Sequence, residues 1–171
     1  MDFIDTGAWS KKAIKEAGKY CNVNIAASSG ETNYDRIPEA ENWQLSANAK
    51  LLHICSNETI GGVQFKQMPE STCPLVADMS SDILSRPVDV NRFGLIYAGA
   101  QKNIGPAGLT VIIVRKDLCG NARAETPTFL DYAAQADADS MSNTPPTYGW
   151  YLAGLVFALS LIHISEPTRH T

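Results

Sequence analysis

Basic charge, histidine and closely spaced cysteine are all scarce in this 171-residue sequence. Lys and Arg number 14 against 18 Asp and Glu, a net charge of −4. That balance leaves no electrostatic footprint for a polyanion or an anionic membrane, which argues against nucleic-acid and membrane partners. His53, His163 and His170 are too few and too scattered to suggest a metal site. Cys21, Cys55, Cys73 and Cys119 lack the short spacing of a zinc knuckle or a redox dithiol. They read as free, mostly buried thiols in a reducing compartment. The first residues, MDFIDTGAWSKK, lack the basic region and apolar run of a secretory leader, so a cytoplasmic setting is expected. The most apolar stretch, Tyr148 to Ile162, falls short of the roughly 20 residues of a membrane span. It reads instead as a buried core helix started by Pro145 and Pro146. Internal repeats and low-complexity tracts are absent.

Apolar content, by contrast, is ample. Hydrophobic residues make up 44% and charged residues 19%, the balance of a chain that buries a core. At roughly 150 residues per domain the length suits one domain or part of a larger one. Ser10 is placed to cap a short helix through Lys19. Val23 to Ala27, Leu51 to Cys55, Leu75 to Ala77, Leu95 to Ala98 and Thr110 to Val114 read as strands, and Ser28 to Pro38 as a loop. Short apolar runs bounded by Gly, Pro, Asn or Asp fit a sheet covered on both faces, and the alternation points to an α/β fold.

The segment richest in chemistry runs from Tyr97 to Gly108, where Lys102 follows an apolar strand among small residues. A Walker loop places its lysine directly after the second glycine, whereas Lys102 precedes Gly105. Gly99, Gly105 and Gly108 also miss the G-x-G-x-x-G spacing of a dinucleotide site. A nucleotide-binding loop is excluded. Upstream, Asp78 ends another apolar strand in Val76-Ala77-Asp78-Met79-Ser80-Ser81. A lysine after one strand and an aspartate after another are what pyridoxal phosphate requires: the amine bonds to its aldehyde, and the carboxylate keeps the ring nitrogen protonated. Trp9 offers an aromatic face for stacking, although any single tryptophan is more often a core residue.

Longer stretches then carry a resemblance. Cys55-Ser56-Asn57-Glu58-Thr59-Ile60-Gly61-Gly62-Val63, Asp78 through Val90, Phe93 through Gly108, and Ser142-Asn143-Thr144-Pro145-Pro146-Thr147 occur in register. Together they resemble the phosphoserine aminotransferase family of pyridoxal-phosphate enzymes, from about Asp5 to about Leu159. The resemblance implies the fold-type-I, aspartate aminotransferase-like architecture, with α/β/α layers around a mostly parallel sheet. It implies that residues 1–159 are an incomplete large domain. Residues 160–171 (SLIHISEPTRHT) look like a translated adapter tail rather than native sequence.

By position, Lys102 is similar to the family's Schiff-base lysine and Asp78 to the partner of the pyridine nitrogen. Trp9 matches the stacking tryptophan, Thr59 the hydroxyl that bonds the ring's phenolic oxygen, and Gln101 a cofactor-phosphate contact. Asn143 and Thr144 match residues that reach the phosphate of the neighbouring subunit, which implies a homodimer with shared active sites. The implied reaction is reversible amino transfer between glutamate and 3-phosphohydroxypyruvate, giving 2-oxoglutarate and O-phosphoserine. Two alternatives stay open. One is another fold-type-I enzyme, such as an alanine–glyoxylate aminotransferase. The other is a truncated, non-catalytic fragment.

Overall fold

The structure, a computed structural model, describes the backbone of residues 1–165 and the side chains of residues 1–160. Its frame is a six-stranded sheet. Five strands are β1 (Asp2–Asp5), β2 (Asn24–Ser28), β3 (Leu52–Cys55), β6 (Leu75–Asp78) and β7 (Leu95–Gly99), and β8 (Thr110–Val114) is the sixth. They lie in the order β2-β1-β3-β6-β7-β8. All pairings are parallel except β7 with β8, which is antiparallel. A two-stranded antiparallel pair, β4 (Asn57–Glu58) and β5 (Val63–Gln64), stands apart from the main sheet.

Alternation along each strand assigns two faces. Ile4, Leu52, Ile54, Leu75, Ala77, Ile96 and Ala98 point into the main core with Phe65, Met79, Phe93 and Ile104. The other face carries Phe3, His53, Cys55 and Val76, all buried. Helices are few. Among the described residues they are α1 (Ala8–Ala17), α2 (Tyr132–Asp137) and α3 (Thr147–Ser165), besides single 3-10 turns. Only the β1-to-β2 crossover is an α-helix. The crossovers of residues 29–51, 56–74 and 79–94 hold Pro38, Pro69, Pro74 and Pro87, and a proline inside a helix removes a hydrogen bond and clashes with the preceding turn. These segments cover the sheet as loops and short turns, laying Ile37, Trp43, Met68 and Val88 against the core.

The α/β fold and the mostly parallel sheet agree with the sequence reading, and five expected strands lie within a residue or two of their places. Several details differ. β1 was not expected, because two of its four residues are aspartates. Ser10 does not cap α1: Gly7 holds that position, and Ser10 lies buried in the first turn, its Oγ accepting from the Thr6 and Gly7 amides at 2.9 Å each. β8 is not covered on both faces; as the antiparallel edge it leaves Ile112 and Ile113 exposed. Of the four thiols only Cys55 is buried; Cys21 is exposed, and Cys73 and Cys119 are half-buried.

The expected core helix forms as α3, but it is not buried. Ala153 enters the core against Gly105, while Tyr148, Trp150, Tyr151, Leu155, Phe157 and Leu159 remain exposed. α3 is apolar all round, so packing one side on the Gly105–Pro106 turn leaves apolar residues on the others. It runs without a break across the boundary expected at residue 160, and residues 166–171 lie outside the described residues. No helix of the described residues is long and apolar enough to cross a membrane.

Candidate active site

In a parallel sheet every strand delivers its next residues to the same edge, and ligands gather there. β1 leads into Trp9, β3 into Glu58 and Thr59, β6 ends on Asp78, and β7 leads into Gln101 and Lys102. Residues far apart in sequence thereby become neighbours. The Trp9 indole Nε1 donates to Thr59 Oγ1 at 3.2 Å. Lys102 Nζ donates to the same oxygen at 3.3 Å and stands 5.3 Å from the Trp9 ring centroid. A second cation, Lys12 Nζ, lies 4.4 Å from that centroid, giving the edge local positive charge within an acidic chain.

The lysine turn is held from both sides. Ile104 and Gly105 donate their amides to the Ala100 carbonyl at 3.2 and 2.8 Å. Asn103 Nδ2 donates to the Ile83 carbonyl at 2.9 Å, and the Gly99 amide to Ser80 Oγ at 3.0 Å. Ser80 also donates its amide to Asp78 Oδ1 at 2.9 Å, so one residue ties the aspartate loop to the lysine turn. Behind Asp78, Ser56 donates its amide and its hydroxyl to the Asp78 carbonyl at 3.0 and 2.9 Å. The carboxylate of Asp78 is half-buried at the strand end, whereas Thr59, Gln101 and Lys102 are exposed.

Glu58 escaped the sequence reading as a working residue. Fully buried, it accepts from the Trp9 amide at 2.9 Å and the Ser10 amide at 2.7 Å. These are first-turn amides of α1, which have no partner within the helix. The carboxylate also meets the positive end of the helix dipole. Room for it depends on Gly7, where an added Cβ would lie 2.7 Å from Glu58 Cδ. Because α1 begins beside Trp9, this bond fixes where the indole sits. No local pattern could disclose a cap 49 residues away.

Of the seven residues expected at the site, Trp9, Thr59 and Lys102 touch, and Asp78 joins them through Ser80 and the lysine turn. Gln101 folds back on Gly99: its Oε1 would lie 2.5 Å from a Cβ there. Asn143 and Thr144 are not brought in. Both are exposed, and the Asn143 amide donates only to the Thr144 carbonyl at 3.3 Å. A groove of about 950 Å³ between residues 37–43, 64–70 and 86–93 takes in none of the seven. Its Arg86 and Arg92 are engaged by the Phe65, Lys66 and Met68 carbonyls and by Asp82 and Glu70, so they do not converge on a ligand.

An amine, a carboxylate, a hydroxyl and an aromatic face at one sheet edge suit pyridoxal phosphate, an aldehyde on a flat cationic ring. Two donors already converge on Thr59 Oγ1, and Lys102 is itself exposed. Fold and site together define a class. The chain belongs to the class-V aminotransferase family, whose sequence profile matches residues 2–170. Within that family it is similar to phosphoserine aminotransferases. It is 62% identical over 157 residues to the one from Ectopseudomonas mendocina, covering 91% of this chain and 44% of that protein. The structure of phosphoserine aminotransferase from Bacillus circulans subsp. alkalophilus superimposes with a TM-score of 0.89 at 48% identity, covering 92% of this chain and 44% of that one. A phosphoserine aminotransferase from Trichomonas vaginalis, described as bound to PLP, gives 0.87 at 38% identity, with 93% and 46% covered. The chain thus spans a little under half the length of these relatives.

Proposed function

We propose that this chain is the cofactor-bearing part of a phosphoserine aminotransferase, transferring the amino group of glutamate to 3-phosphohydroxypyruvate to give 2-oxoglutarate and O-phosphoserine. The observation that carries this reading is the convergence of Lys102 Nζ and Trp9 Nε1 on Thr59 Oγ1 beside the strand end of Asp78. The relatives named for that reaction support the choice of substrates. When bound, pyridoxal phosphate supplies an electron-withdrawing ring that acidifies the α-carbon of the amino-acid substrate.

The chain's own residues divide the remaining work. Lys102 would hold the cofactor through its amine, and its Nζ would move the substrate α-proton as general base and acid. Asp78 holds the proton on the ring nitrogen by its charge. Trp9 presents its indole face to the ring and fixes its plane, with its own position set by the Glu58 cap. Thr59 gives its hydroxyl to the phenolic oxygen. Gln101, folded back on Gly99, would have to turn outward to reach the phosphate, and Asn143 and Thr144, standing away from this site, would serve the phosphate of a partner subunit in a homodimer. A cytoplasmic location goes with this reading.

Titration with pyridoxal phosphate, followed by absorbance, borohydride trapping and peptide mapping, tests it. The expected result is a saturable band with the trapped adduct on Lys102, lost in Lys102→Ala. An adduct scattered over surface lysines, or undiminished in Lys102→Ala, overturns it.

A further inference from the structure

On the sheet face opposite the main core, a histidine and a tyrosine meet beside Asp78. His53 of β3 is 3% exposed. Its ring packs against Phe3 at 4.9 Å and Tyr97 at 5.9 Å between centroids, and its Nε2 lies 2.9 Å from the Tyr97 hydroxyl. The other ring nitrogen, Nδ1, is buried with no hydrogen-bond partner. Asp78 stands between strands that bring both residues near it. Its register partner on β7 is Tyr97, and its partner on β3 is Cys55, two residues beyond His53 on the same face.

The unpartnered nitrogen decides which way the hydrogen bonds run. Burial holds the His53 imidazole well below its ordinary range, down to about 4, although the charge of Asp78 acts in the opposite sense. A neutral imidazole carries a single N–H. On Nδ1 that hydrogen would be buried facing no acceptor. On Nε2 it is donated to Tyr97, and only a lone pair goes unmatched, the less costly omission. The Tyr97 oxygen is then an acceptor, and its own O–H is free for a second partner. Burial, then the Asp78 charge, push the Tyr97 phenol upward, so it keeps its proton. The acceptor beside it in register is the Asp78 carboxylate, whose Oδ1 already takes the Ser80 amide.

We propose that His53 and Tyr97 are positioning residues for Asp78: donation from His53 Nε2 to Tyr97 turns the phenolic O–H onto the carboxylate and fixes its rotation toward the ring nitrogen of the cofactor. The inference rests on the cofactor reading above and deepens it. Neither residue touches the reacting atoms.

The test loads this chain with pyridoxal phosphate labelled with nitrogen-15 in the ring, whose chemical shift reports ring protonation. Tyr97→Phe, which removes one oxygen, is expected to move the signal toward the unprotonated position and to weaken cofactor binding about tenfold, as for loss of a hydrogen bond to a charged group. His53→Leu is expected to move the signal the same way, and His53→Gln, which restores a donor, to bring it back. A merely structural role would lower the melting temperature of all three variants and leave the nitrogen signal of the folded fraction in place. An unmoved signal in folded Tyr97→Phe, with the adduct still on Lys102, overturns this inference alone. Absence of any Lys102 adduct in the unsubstituted chain overturns the cofactor reading and this inference together.

Discussion

Glu58 does two jobs with one carboxylate: it satisfies the orphan amides of α1, and through them it seats Trp9. Glu58→Gln keeps the shape but turns an amide N–H toward a backbone N–H and removes the charge. A loss of about 1.5–3 kcal/mol is expected, the range for a hydrogen bond to a charged group; urea unfolding measures it, and an unchanged midpoint would contradict the capping role. His53 sets a pH dependence of stability. Its folded-state value of about 4 lies below the ordinary 6.5, so between those pH values the unfolded chain binds a proton that the folded chain refuses. Stability is therefore retained above pH 6.5 and falls as pH drops toward 4, by about 3 kcal/mol in all. Denaturant midpoints across that window check it, and His53→Gln is expected to flatten the slope there. At this scale the sequence pointed to Lys102, Asp78 and Trp9 by their chemistry and to Thr59 through the family resemblance. Glu58, Ser80, His53 and Tyr97 stayed hidden because their importance lies in partners many residues distant.

Among the elements, runs of β-branched and aliphatic residues made β3, β6, β7 and β8 legible, since a buried strand needs little else. β1 was obscured by its acids. Asp2 accepts from the Ser46 amide at 2.7 Å and from Asn24 Nδ2 at 3.1 Å, and Asp5 from the Ser28 hydroxyl at 2.8 Å and the Tyr34 hydroxyl at 3.1 Å. Each acid is buried because donors from later segments come to meet it, a fact that exists only in three dimensions. The helix-poor crossovers follow from their prolines, yet which face they would cover was not written locally. Where such a crossover passes the sheet, tolerance is small. Gly94 enters β7 with Pro74 so close that an added Cβ would lie 2.5 Å from the Pro74 Cβ, and 3.0 Å from Leu118 Cδ1. Neither the proline ring nor the strand it precedes can give way easily. Gly94→Ala is expected to destabilise the fold by about 1–3 kcal/mol, as overpacking does. Thermal melting checks this, and a neutral result would mean that β6 and β7 slide more freely than their register suggests.

For the molecule as a whole, the division between what is built and what is bare is plain. The sheet edge holding Trp9, Thr59, Asp78 and Lys102 is braced by a continuous set of hydrogen bonds, while α3 and β8 leave large apolar side chains in solvent. Asn143 and Thr144 stand just before α3, on the bare side of that division. Strand order also governs how the site comes into being. As the chain leaves a ribosome, each sheet strand after β2 meets a partner already made: β3 joins β1, β6 joins β3, β7 joins β6 and β8 joins β7. The edge residues arrive in the same sequence, first the indole, then the hydroxyl, then the carboxylate. Lys102 comes last, in the turn between β7 and β8. The proposed cofactor lysine is thus delivered only after the indole, the hydroxyl and the carboxylate it stands among.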